Sequence, residues 1–143
     1  MSRRILLDTG PLVASVNRRD RFHEWALERF DEITQPLLTC EAVLAEACFL
    51  LRSTPGGGVA VLDFLGRGAL LIEFSAAAHA ASLGAMMKKY ADVPMSLADA
   101  CLVRMTELQE DAVVMTLDRD FLVYRRHGRQ TVPVLMPPGS AAR

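Results

Sequence analysis

The sequence predicts an α/β fold in three layers, a short central parallel sheet flanked by helices on both faces. Three observations carry this. Candidate strands and helices alternate along the chain. The candidate strands are apolar throughout, the pattern of strands buried on both faces. Asp8 and Asp118 stand at the carboxyl ends of two such strands, where sheets of this class bind their ligands.

The elements follow in order. Ile5-Leu6-Leu7 is a short strand ended by Asp8. Pro11 suits the first position of a helical turn reaching about Val16. Arg18-Arg19-Asp20-Arg21 is a charged connector. The spacing over 23–33 predicts an amphipathic helix with Trp25, Leu27, Phe30 and Ile33 toward the core. Pro36 ends it, and Leu37-Leu38 is a minimal strand. Thr39 is placed to cap a helix over 40–52, and Pro55-Gly56-Gly57-Gly58 breaks the chain. A helix over 59–66, a strand over 69–74 and a helix from Ser75 to about Tyr90 come next. Leu83, Met87 and Tyr90 share one face of that last helix. Asp92-Val93-Pro94 interrupts again, and Ser96 begins a helix reaching about Gln109. A strand over 112–116, a short helical turn after Asp118 and an edge strand over 132–135 complete the series. The tail from Pro137 is expected to fray.

With 143 residues, of which 51% are hydrophobic, the chain is expected to form a single domain over 1–143 with a substantial core. The formal net charge of −1 excludes a histone-like polycation, so nucleic-acid contact must come from local patches. Cys40, Cys48 and Cys101 lie among apolar residues without C-x-x-C spacing and read as buried reduced thiols. His23, His79 and His127 lack metal-binding spacing, which argues against zinc. The apolar run before Asp8 is too short for a signal-peptide core or a membrane span. A soluble, cytoplasmic protein is expected.

Four acids stand in apolar stretches: Asp8, Glu46, Asp99 and Asp118. An unpaired buried carboxylate costs several kcal/mol or takes up a proton. A shared divalent cation would resolve all four at once, and carboxylates around such a cation make a site for phosphoryl chemistry. On a helical wheel Glu46 falls among Ala42, Val43, Phe49 and Leu50; the bland alternative is an ion pair with a core-facing arginine. Asp99 also fits a helix start, with Ser96 as N-cap and Asp99 in the third helical position, and capping is compatible with metal binding. Asp8 could serve a turn, and Asp118 could cap the turn that follows it. Asp120 is a second candidate there. Thr9, Ser96 and Thr116 place hydroxyls beside the acids, suited to holding a carboxylate or a water.

The segments ILLDTGPLVA, TCEAVLAEACFLL, YADVPMSLADA and VVMTLDRDFLVYR resemble, in order, the motifs of PIN-domain ribonucleases, and most of all the VapC-type toxins of toxin–antitoxin pairs. The resemblance spans Ile5 to about Pro137. It implies a Rossmann-like PIN fold and a metal site of Asp8, Glu46, Asp99 and Asp118. It implies Mg²⁺ or Mn²⁺ as cofactor, RNA as substrate, a cognate antitoxin protein as partner, and a homodimer. Metal-activated water would attack the phosphorus in line. That chemistry needs no 2′-hydroxyl, so selectivity for RNA must come from binding contacts.

Two basic clusters are candidates for those contacts: Arg18, Arg19 and Arg21, and then Arg119, Arg125, Arg126 and Arg129. Tyr124 could stack on a base or cover core. LLDTG also looks like the active-site triplet of aspartic proteases, but those are almost wholly β. A haloacid-dehalogenase-like phosphatase wants a second aspartate where Gly10 stands. A PIN-like module that binds RNA or a protein without cutting is the non-enzymatic alternative.

Overall fold

A computed structural model describes residues 3–139. Its central strand, β1 (Arg4–Leu7), is the apolar run before Asp8. In chain order follow α1 (Thr9–Val16), α2 (His23–Glu32), β2 (Leu37–Thr39), α3 (Glu41–Leu50), α4 (Gly57–Gly66), β3 (Leu70–Ile72), α5 (Ala80–Lys89), α6 (Leu97–Leu108) and β4 (Ala112–Met115). A 3-10 turn over Arg119–Leu122 leads to β5 (Arg125–Arg126), β6 (Gln130–Thr131) and β7 (Val134–Leu135).

The strands are ordered β3-β2-β1-β4-β7, and every neighbouring pair is parallel. All of β2 and β4 is buried, as are Leu6 and Leu7 of β1. That is why these strands are apolar without alternation. The chain runs outward from β1 through β2 and β3, then crosses back to place β4 on β1's other side. β1 and β4 therefore flank a topological switch point. The register sets Leu7 opposite Met115, and the Asp8 N–H donates to the Met115 carbonyl at 3.0 Å. The residues just past these strands are thereby brought together. Six helices flank the sheet; α1 packs on α2, α3 and α4, while α5 packs on α6, which also meets α3. None of the helices among the described residues is long and apolar enough to cross a membrane.

Several expectations need correction. Leu27 is 43% exposed, and Ala26 takes the buried place on α2. A one-residue shift in the buried stripe produces this, because Trp25, Phe30 and Ile33 still pack against the core. Thr39 does not cap α3. It is the last residue of β2, and its Oγ1 donates to the Leu7 carbonyl at 2.8 Å, tying the two strand ends together. The helix expected from Ser75 begins as a 3-10 turn over Ala77–His79 before α5. The edge strand is confined to β7. The antiparallel pair β5–β6 went unanticipated; it turns through His127 and Gly128, at φ 52° and 80°. Cys40 and Cys101 are buried free thiols, whereas Cys48 is half-buried. Pro137 is buried; the end of the tail, 140–143, lies outside the described residues.

Candidate active site

The site is built from the ends of β1 and β4 and the first turn of α6. Asp8 follows β1 and is the N-cap of α1; its Oδ1 accepts from the Thr9 N–H at 2.8 Å. Its Oδ2 accepts from the Thr116 hydroxyl at 2.6 Å. Thr116 lies just past β4, and its Oγ1 accepts in turn from the Asp118 N–H at 2.9 Å. One hydroxyl thus links the first and last acids. Asp118 Oδ1 accepts from the Asp120 N–H at 2.8 Å and so caps the 3-10 turn. Asp99 enters from α6, where Ser96 Oγ accepts from the Asp99 N–H at 3.1 Å. The expected capping is therefore present. Thr9 joins the remaining acid, its Oγ1 donating to Glu46 Oε2 at 3.0 Å.

Asp8 is 5% exposed and Asp99 9%, as a costly carboxylate in an apolar stretch requires. Burial pushes the Asp8 carboxyl up to about 7; the Asp99 and Asp118 charges add to the rise, and the Thr116 and Thr9 hydrogen bonds oppose it. Burial, and then the charge of Asp118, also raises Asp99 against the hydrogen bonds of Tyr124 and Ser96. Asp120 is raised by burial and by Asp118. The aspartates are close enough to repel one another. Among the described residues, none of Asp8, Glu46, Asp99 and Asp118 makes an ion pair with a lysine, arginine or histidine.

Glu46 departs from the expected setting. The residue is exposed, and so are Phe49 (62%) and Leu50 on the same side of α3. The buried side is Val43, Leu44 and Ala47. Both sides of this helix are apolar, so a wheel could not tell which one meets the sheet. Among the described residues no arginine pairs with Glu46; Arg52 instead lies over the Phe49 ring, 4.0 Å from its centroid. Ala45, Glu46, Phe49 and Leu50 line a shallow, largely apolar depression.

The basic residues divide. Arg18, Arg19, Arg21, Arg119 and Arg129 are exposed and make no ion pair among the described residues. Arg125 is half-buried, with Nη1 donating to the carbonyls of Leu122, Val123 and Tyr124. Arg126 is buried and donates to the Thr106 carbonyl and to Glu110, which removes it as a phosphate contact. Tyr124 is fully buried and cannot stack on a base. Its Oη donates to Asp99 Oδ2 at 2.7 Å, a link the sequence hinted at only by setting a phenol in the apolar run after Asp118.

A family model of the PIN domain matches residues 5–126. The chain belongs to the PIN domain family. Among solved structures, this PIN domain is similar to the sarcin–ricin-loop-cleaving toxin VapC20 of Mycobacterium tuberculosis. The TM-score is 0.72 at 19% identity, covering 81% of this chain and 91% of the toxin. No curated protein matches the chain in sequence. The parallel sheet with acids at its switch point is thus the PIN architecture.

All the donors at the site are carboxylate oxygens, which suit a hard divalent cation such as Mg²⁺ or Mn²⁺. Among the described residues, no three acidic, histidine or cysteine side chains close into a ready-made metal cage. An open set still fits Mg²⁺, which keeps several waters and needs only one or two carboxylates.

Proposed function

We propose that this PIN domain is a metal-dependent ribonuclease, the toxin of a toxin–antitoxin pair, acting in the cytoplasm. The observation that carries the reading is the cluster of Asp8, Asp99 and Asp118, mutually repelling, partly buried and without a cationic side-chain partner among the described residues. A purely structural acid cluster would be paired or diluted; this one is short of positive charge. Family membership and the likeness to VapC20 support the same reading.

Asp8, Asp99, Asp118 and Glu46 would hold Mg²⁺ or Mn²⁺. Held there, such a cation would supply Lewis acidity and a more acidic bound water. The chain's own groups do the positioning. Thr116 and the Thr9 N–H fix both oxygens of Asp8, and the Thr9 hydroxyl holds Glu46 in the same constellation. Asp120 is adjacent to Asp118, and its backbone N–H donates to Asp118 Oδ1, fixing that carboxylate at the start of the turn. Arg119, exposed beside Asp118, suits a phosphate of the RNA. Arg18, Arg19 and Arg21 offer a second basic contact. A cognate antitoxin and a second copy of the chain are the expected protein partners. The exposed Phe49, Leu50, Val59 and Leu62 of α3 and α4 supply apolar surface for such contacts.

The direct test is RNA cleavage by purified protein with Mg²⁺. Cleavage should stop on adding EDTA, return with Mg²⁺ or Mn²⁺, and be absent from Asp8→Asn. Binding of RNA with no cleavage under any metal condition would make the chain a non-catalytic RNA-binding module.

A further inference from the structure

Tyr124 is a large polar side chain with no exposed surface. Its ring is held edge-on by Phe121, with centroids 5.3 Å apart, and by Tyr90 at 5.1 Å. Tyr90 is held in turn, its Oη accepting from the Arg125 N–H at 3.0 Å. Phe121 belongs to the 3-10 turn that Asp118 caps. The phenol therefore reaches across from the Asp118 segment to α6. Its Oη donates to Asp99 Oδ2 at 2.7 Å, the shortest hydrogen bond to that carboxylate, with Ser96 acting on the same group from the helix start.

We propose that Tyr124 is a positioning residue for the metal site, holding the Asp99 carboxylate through Oδ2 in one orientation toward the neighbouring acids. The inference rests on the metal-dependent reading above. A carboxylate rotates freely about its last bond unless something holds it. A lysine or arginine would hold it but would also cancel the charge the cation needs. A neutral phenol orients the group and leaves the charge intact, and hydrogen bonds of this kind to ligating carboxylates govern metal affinity.

The test is Mn²⁺ affinity, measured by the paramagnetic resonance of free Mn²⁺ over wild type, Tyr124→Phe and Tyr90→Phe. Tyr124→Phe should bind Mn²⁺ about 10- to 100-fold more weakly, and saturating Mn²⁺ should restore its RNA cleavage toward wild type. Tyr90→Phe, which keeps the ring, should bind as wild type does. A second measurement needs no variant at position 124. The chain has two tyrosines, so with ¹³C at the ζ-carbons one resonance should move on Mg²⁺ addition and the other should stay. Tyr90→Phe assigns them. A wild type that binds Mn²⁺ and cuts RNA, with unchanged affinity in Tyr124→Phe or no ζ-carbon shift, overturns this inference and leaves the proposed function standing. A wild type that neither binds Mn²⁺ nor cuts RNA overturns both.

Discussion

At the residue scale, the raised Asp8 carboxyl ties stability to pH. An unfolded aspartate titrates near about 3.9, and in the fold Asp8 is pushed up to about 7. Between those values the folded chain keeps a proton that the unfolded chain has released. Stability without metal therefore falls as pH rises across the window, by about 4 kcal/mol for a shift of this size, and levels off above it. Urea unfolding in EDTA at pH 5 and pH 8 should show the protein less stable at the higher pH, and Asp8→Asn should flatten the difference. An equal slope in both proteins would place the titration elsewhere. Divalent cations should bind better as pH rises through the same window, because Asp8 must shed its proton first.

Glu46 makes a contrasting prediction. It is exposed and held only by the Thr9 hydroxyl, so Glu46→Gln should change stability without metal by no more than about 0.5 kcal/mol. It should nevertheless abolish cleavage and shrink the rise in melting temperature that Mn²⁺ produces. A destabilised variant with its metal response intact would assign Glu46 to the fold.

Among the elements, the arginines sort by what their guanidinium groups already touch. Arg126 is committed to the Thr106 carbonyl and Glu110, and it fastens β5 to the end of α6. Arg126→Ala should cost about 2 kcal/mol by leaving the buried Thr106 carbonyl unmet, whereas Arg129→Ala should fall within about 0.5 kcal/mol; thermal unfolding of the pair decides. Replacing Arg18, Arg19 and Arg21 together should weaken RNA binding and lower the slope of log affinity against log salt. The drop should be about 0.7 for each single-strand phosphate that is no longer neutralised. Metal affinity should not change. A salt slope equal to wild type would mean that these side chains meet only solvent.

What was legible follows from how strongly each element is specified. β1, β2 and β4 were readable because burial on both faces forces continuous apolar runs. Asp8, Asp99 and Asp118 were readable because acids in such runs are costly. The β5–β6 pair was not, since Arg125–Arg126 and Gln130–Thr131 are short and polar and carry no alternation. The side of α3 that carries Glu46 was misread because Phe49 and Leu50 make the outer face as apolar as the inner one. The bond from Tyr124 to Asp99 joins two elements that sequence spacing cannot relate.

For the whole molecule, the proposed metal site and the proposed toxin function predict growth arrest when the chain is expressed alone in a bacterial host. Asp8→Asn at equal protein level should relieve it. Arrest that survives the substitution would point to a mechanism other than metal-dependent cleavage.

The hydrogen bond from Thr116 to Asp8 closes a loop of 108 residues, and the pairing of β1 with β4 that brings them together is the central contact of the sheet. During synthesis, Asp8 emerges from the ribosome long before its partner strand exists. A nascent chain that ends before β4 has neither Thr116 nor Asp118, and the Asp8 carboxylate keeps only its local cap on the Thr9 N–H. If the proposed function holds, translation acts as a timer, because a site that needs Thr116 and Asp118 is assembled only after most of the chain has been made. Interrupted products, however abundant, should be harmless to the cell that makes them; a fragment ending at residue 110 should neither cut RNA nor slow growth.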